Sequence, residues 1–262
     1  MLRLNLRGAG PGRALARGSY AAQCNRDLVP VLRQVRQLAA GLPLMGVGLS
    51  LGGTNLLNAV LHAERDAAPE ALLDALVCIS SPLDLQACAQ QIARPRNRIY
   101  ERWLLRRLVA EVAADPHGLS THERAALAQR QVGSIRGFDA AITAPRWGYR
   151  SVEAYYDDAS PATRLLARPR NLPPTLIVHA LDDPWVPAAA AQQLHSQITS
   201  QGWQGQHPGC LLEVLLTPNG GHNGFHGIGD AMAADGGCWS DRLAAHWLQG
   251  QLSAQGTSSR RA

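Results

Sequence analysis

Lysine is missing from this chain: all 25 basic residues are arginine, set against 20 acidic ones for a net charge of +5. The arginines are spread along the sequence, so the basic balance reads as compositional bias. A nucleic-acid partner calls for one clustered basic face and is not expected. The densest stretch, Arg94 to Arg107, reads as a solvated helix face, and Arg260-Arg261 as part of a tail. The five cysteines, Cys24, Cys78, Cys88, Cys210 and Cys238, are odd in number and contain no C-x-x-C pair. That excludes the usual zinc spacing and a disulfide framework, and it suits a reducing compartment. No apolar run approaches the length of a bilayer span, and the opening Met1 to Gly8 is too short and too charged for a secretory segment. The chain is therefore read as soluble and cytoplasmic, with no transmembrane segment. Also missing are H-E-x-x-H, G-x-G-x-x-G and Gly-Lys-Ser/Thr. His222 and His226 are four apart but lack the glutamate of a zinc protease, and Gly8 to Gly12 reads as a turn. No metal and no cofactor is expected.

What is present is a core-forming sequence with one conspicuous motif. With 46% hydrophobic residues in 262, the chain can bury one sizeable core. Gly48-Leu49-Ser50-Leu51-Gly52 reads G-x-S-x-G, directly after the apolar Leu44 to Val47 and directly before apolar residues at helical spacing from Gly53 to Leu61. Strand, sharp turn and helix in that order describe a nucleophile elbow, in which a serine hydroxyl is lifted above a sheet. The flanking Gly48 and Gly52 fit a turn with no room for side chains. The helix start beneath Ser50 offers free N–H groups and a positive dipole end to a developing oxyanion.

Strand and helix signals alternate along the chain, which argues for an α/β protein with a mainly parallel sheet covered by helices. Leu2–Leu6, Leu44–Val47, Ala75–Ile79, Pro174–Ala180 and Leu211–Leu216 read as strands. Asp27–Leu38, Ala188–Thr199 and Trp239–Leu252 read as helices. Residues 84–167 show helical stretches without a buried strand, which predicts a lid inserted over the strand ends. The chain then divides into 1–83 carrying the elbow, the lid 84–167, a second core part 168–252, and a small, polar tail 253–262 expected to be disordered.

A serine hydroxyl needs a histidine base, and the histidine needs a carboxylate to set its tautomer. Chain order after an elbow is Ser, Asp or Glu, then His. Leu181-Asp182-Asp183-Pro184-Trp185-Val186-Pro187 follows one buried strand and Gly220-Gly221-His222-Asn223-Gly224-Phe225 follows the last. Both loops thus fall at C-terminal strand ends, where open α/β sheets place their sites. Either Asp182 or Asp183 can serve as the acid on this reading. His179 reads as a core strand residue with its ring satisfied.

Several motifs together resemble the YheT-type α/β-hydrolases, a branch related to the mammalian ABHD carboxylesterases and lipases. They are Leu4-Asn5-Leu6-Arg7-Gly8, the elbow Gly48 to Asn55 with Thr54 inserted before the asparagine, Ser80-Ser81-Pro82-Leu83-Asp84-Leu85 with Cys88, Asn97 to Tyr100, Ile135 to Asp139, Tyr149 to Tyr156, and the two loops above. The resemblance implies a cofactor-free hydrolase of small or medium acyl esters, acting on a small-molecule or lipid-like substrate. Ser50 attacks the acyl carbon, His222 shuttles the proton and Asp183, the residue before the Pro-x-Val-Pro turn, orients His222. Asp182 then braces the loop, and the Leu51 N–H supplies half of an oxyanion hole. The family takes the other half from a His-Gly loop after its third strand, and no such loop stands in the right place here. The chain opens at what resembles the family's fourth strand, with the first three absent. That predicts an open apolar sheet edge beside the elbow strand and Met1 as an internal residue of a longer protein. The alternative to an esterase is a catalytically impaired remnant acting as a binding protein. Oligomeric state is not legible.

Overall fold

The computed structural model describes residues 1–39, 41–63, 71–129, 132–167, 169, 172–200, 212–227, 230 and 237–258. Four parallel strands form one sheet in the order β1 (Met45–Leu49), β2 (Ala75–Ile79), β3 (Thr175–Ala180), β4 (Leu212–Thr217). β2 and β3 are buried at every position, which is why they read as unbroken apolar runs and not as alternation: helices cover both faces. Leu76 and Cys78 of β2 face Leu28 and Leu32 of α1 (Asn25–Ala39), Leu57 and Leu61 of α2 (Leu51–Ala63) and Leu194. Val77 and Ile79, one residue out of phase, face the opposite way and pack with Val178, Phe225 and, from the carboxy-terminal helix, Ala244 and Trp247.

Between β2 and β3 the described residues are helical: α3 (Leu85–Ile92), α4 (Arg98–Ala113), α5 (Thr121–Ala128), α6 (Ile135–Phe138), α7 (Ala144–Arg146), α8 (Val152–Ala159) and α9 (Ala162–Leu166). Their starts are chemically marked. Asp84 Oδ1 accepts the Ala87 N–H at 2.9 Å, Ser120 and Glu123 form a capping box, and Ser151 Oγ accepts the Ala154 N–H at 3.1 Å. α10 (Ala189–Ser200) and α11 (Trp239–Ser258) complete the described helices.

β1 is an edge strand with an uncovered side. Val47 stands beside Val77 and Leu49 beside Ile79 in the parallel register, so both point to the face on which α11 lies. α11 rests on the central strands, and Val47 and Leu49 are each 51% exposed. The edge at the elbow strand is therefore open and apolar.

Two expectations are corrected. Leu2–Leu6 is not a strand: among the described residues no strand pairs with it, and Leu2 and Leu4 are exposed while Leu6 packs on the core. The Arg7 guanidinium holds this segment to the start of α1 through Asp27 (Nε–Oδ2 2.7 Å). The last helix does not stop at Leu252 but runs to Ser258, so much of the expected disordered tail is helical. Once nucleated, a helix extends cheaply through proline-free Ser253-Ala254-Gln255. Residues 259–262, with Arg260 and Arg261, and likewise Leu211 and Cys210, lie outside the described residues.

Candidate active site

Ser50 sits between the end of β1 and the start of α2 with φ of 50°, a left-handed backbone that a non-glycine residue occupies only under constraint. Its N–H donates to the Ile79 carbonyl at 2.8 Å, and its own carbonyl accepts from Gly53 N at 3.0 Å, so both neighbours hold the strained turn. The glycines that make room are Gly48 and Gly53. A Cβ on Gly48 would stand 2.3 Å from Gly53 Cα, and one on Gly53 would stand 2.0 Å from Ser81 Oγ, whereas Gly52 faces open space. This corrects the assignment of Gly52 to that role. The second glycine of Gly52-Gly53 was the available signal, but only the approach of Ser81 from the β2 loop makes it necessary. Gly53→Ala is expected to destabilise by more than about 2 kcal/mol through overpacking. Gly52→Ala should be neutral or stabilising by up to about 1 kcal/mol, because alanine is the better helix former. Urea midpoints of the two variants check this, and similar losses in both would sink the assignment.

The other two candidates arrive at the same point from the ends of β3 and β4. Asp183 Oδ1 accepts the Trp185 and Val186 N–H groups, both at 2.9 Å, and Oδ2 lies 2.8 Å from His222 Nδ1; the carboxylate is fully buried. His222 Nε2 lies 2.9 Å from Ser50 Oγ. The His222 loop is held on both sides of the ring, with Asp182 Oδ1 accepting the Gly221 N–H at 2.8 Å and Ser80 Oγ accepting the Asn223 N–H at 3.2 Å. With Nδ1–H donating to Asp183, Nε2 is the lone-pair nitrogen aimed at the serine, the arrangement in which an imidazole can accept the hydroxyl proton. Leu51 opens α2, so its N–H is among the first-turn donors without an intrahelical acceptor.

Ser50 and His222 lie in a cleft of about 240 Å³. Its walls are mainly apolar, with Leu104, Leu108 and Phe138 from the helices above and Ala21 and Ala22 from the segment before α1. Asn55 and Asn58 amides pin that segment: Asn58 Nδ2 donates to the Ala22 carbonyl at 2.8 Å, and the Asn55 amide meets the Ala21 and Ala22 carbonyls at 2.9 and 2.6 Å, which assigns the atom facing them as its nitrogen. Trp185 stacks on Tyr100 at 3.7 Å and 7°, and its ring lies 4.9 Å from His222. Asn97 Nδ2 and Gln91 Nε2 donate to the Pro184 carbonyl at 2.8 and 3.1 Å, tying the acid loop to α3 and α4. Trp185 and Asn97 stand in motifs singled out in the sequence and Gln91 does not, but none of the three shows there that it makes these contacts, because the partners are distant in sequence.

Cys88 also lines the cleft, but burial, helped by the nearby Asp84 and Asp183 charges, pushes its thiol far up, so it offers no thiolate. His179 is in the core as expected, 1% exposed, with Nε2–H donating to the Val186 carbonyl at 3.1 Å; among the described residues its Nδ1 has no partner, so they satisfy only half of the ring. Burial lowers its pKa and keeps it neutral. Among the described residues no group of three or more His, Cys, Asp or Glu is placed to hold a metal, and no helix is long and apolar enough to cross a membrane.

A parallel α/β sheet with an elbow serine over a helix start defines the α/β-hydrolase class. Residues 2–206 match the family model Hydrolase_4, described as serine aminopeptidase, S33, and the chain belongs to this family of esterase/lipase-type serine hydrolases, within its YheT/ABHD-type branch. It is 35% identical to YheT of Escherichia coli, a protein named as an esterase, over 71% of this chain and 54% of that one. It is 31% identical to phospholipase ABHD3 of Mus musculus over 84% of this chain and 50% of that one. The chain thus spans about half the length of these relatives. Among solved structures, a thermophilic esterase from Thermogutta terrifontis aligns with a TM-score of 0.46 and 14% identity over 94% of this chain and 78% of that one.

Proposed function

We propose that the chain hydrolyses carboxylic esters of small or medium acyl groups through an acyl-enzyme, with Ser50 as nucleophile, His222 as general base and then acid, and Asp183 orienting and stabilising the imidazolium. The observation that carries this reading is the unbroken chain Asp183–His222–Ser50, with contacts of 2.8 and 2.9 Å. The Ser50 proton passes to His222 Nε2 as Oγ bonds to the acyl carbon. The same proton then goes to the leaving alcohol, and water repeats the sequence to release the acid. The Leu51 N–H faces the developing oxyanion as one donor. Residues 84–167 act as the lid, and residues 1–83 and 168–252 as the two parts of the hydrolase core. The substrate is a small-molecule or lipid-like ester. Cys24, Cys78, Cys88 and Cys238 are all free thiols, which suits a cytoplasmic setting.

The open edge of β1 favours a second reading, in which the chain is a catalytically impaired hydrolase serving as a binding protein, because the family's second oxyanion donor comes from the region beside that edge. A fluorophosphonate separates the two, since it reacts only with an activated serine. Intact mass and peptide mapping are expected to show one adduct on Ser50. A folded chain that stays unlabelled would establish the second reading.

A further inference from the structure

The arginines of α4 are exposed, as expected, and they share that surface with large apolar side chains. Helical spacing divides this helix into rows four residues apart. Glu101, Leu105 and Val112 face inward, Glu101 Oε1 accepting the Ile135 N–H at 3.1 Å. Tyr100, Leu104 and Leu108 line the cleft that holds Ser50. Immediately beside this row come Ile99 and Trp103, 79% and 49% exposed, followed by Arg107 with its guanidinium 5.2 Å from the Trp103 ring. The next row is Arg98, Arg102 and Arg106, and Arg94 and Arg96 lie just ahead of the helix; all are exposed. Among the described residues none of these arginines pairs with a carboxylate. Glu111, on the last turn, is the exposed acidic residue of the helix.

An exposed isoleucine and tryptophan embedded in unneutralised arginines is the pattern of a helix lying in a lipid headgroup region: the apolar side chains enter the acyl boundary and the cations meet anionic phosphates. Tryptophan suits that depth, its ring apolar and its N–H polar. A nucleic-acid face would account for the arginines and leave Ile99 unexplained. We propose that α4 docks the protein on anionic lipid bilayers, with Ile99 and Trp103 inserted and Arg98, Arg102 and Arg106 on the headgroups. The cleft row adjoins the docking row, so docking brings the cleft lining close to the bilayer surface, and Asn97, the residue that precedes the docked helix, ties it to the acid loop through the Pro184 carbonyl.

The surface stands independently of the triad, so the full chain carrying Ser50→Ala serves for binding and the unmutated chain for activity. Sedimentation with vesicles of phosphatidylcholine containing phosphatidylglycerol is expected to show binding that is at least about tenfold weaker on pure phosphatidylcholine and weakens with salt. Arg98→Gln/Arg102→Gln/Arg106→Gln and Ile99→Ser/Trp103→Ser should each lower the affinity at least about tenfold. The arginine variant should leave hydrolysis of soluble p-nitrophenyl butyrate unchanged, with circular dichroism showing both variants folded. A blue shift of Trp103 fluorescence, absent in the second variant, would place the ring in the bilayer. No binding to either vesicle overturns the proposal. So does loss in the arginine variant alone, which would mean attraction to any polyanion, and so does binding that survives both variants.

Discussion

Ser50→Ala is expected to lower kcat for a short p-nitrophenyl ester by about 10⁴-fold or more while leaving the fold and thermal midpoint close to those of the parent. The methyl group occupies the same strained turn without crowding, since alanine removes one atom and keeps the backbone hydrogen bond from Ser50 N to Ile79. What disappears is the atom that forms the acyl bond. Residual turnover then comes only from substrate binding and donors such as the Leu51 N–H acting on a direct attack by water. Steady-state kinetics with circular dichroism as the folding control checks the expectation. Turnover that persists within about tenfold would remove Ser50 from the mechanism.

The second large effect separates two adjacent carboxylates. Asp183→Asn should cost on the order of 10⁴-fold in kcat with little change in structure, because the amide oxygen can still accept from Trp185 and Val186 while the amide nitrogen turns to His222. Nδ1 must then accept instead of donate. The proton moves to Nε2, and the nitrogen facing Ser50 loses the lone pair that takes the hydroxyl proton. Asp182→Asn keeps an oxygen for the Gly221 N–H and weakens one charge-assisted bond to a neutral one, so its cost should stay below about tenfold. Equal losses in the two variants, or a larger one at Asp182, would reverse the assignment of the acid.

Much of this site is local chemistry and was legible as such. The elbow needs a strand end, a serine and a helix start within a dozen residues, and those residues carry it. The acid and base loops follow apolar runs that only buried strands explain. Their order along the chain, serine, aspartate, histidine, is that of a triad on this scaffold. Pairwise choices between neighbours were less legible. Asp182 and Asp183 differ by one position in the same loop, and the direction each carboxylate takes depends on β3 and β4 lying in register. Gly52 and Gly53 are equally small, and only the approach of Ser81 tells them apart.

The amino-terminal Leu2–Leu6 shows the converse. Its alternation and apolar content are those of a strand, yet a strand exists only through pairing, and the sheet places no neighbour beside it. The aromatic stack of Tyr100 on Trp185 and the tie from Asn97 to Pro184 join residues more than eighty positions apart, and no local pattern announces them.

By itself, then, the sequence determined the α/β class, the buried strands β2 and β3, the turn that carries Ser50 and the two loops that approach it. Burial and tight turns impose composition on the segments that make them. Tertiary structure decided which aspartate reaches His222, which glycine the elbow requires, and that Ile99 and Trp103 of α4 stand next to the row that lines the cleft. Each of these depends on what lies opposite a residue in space, and the chain brings those partners together only after folding.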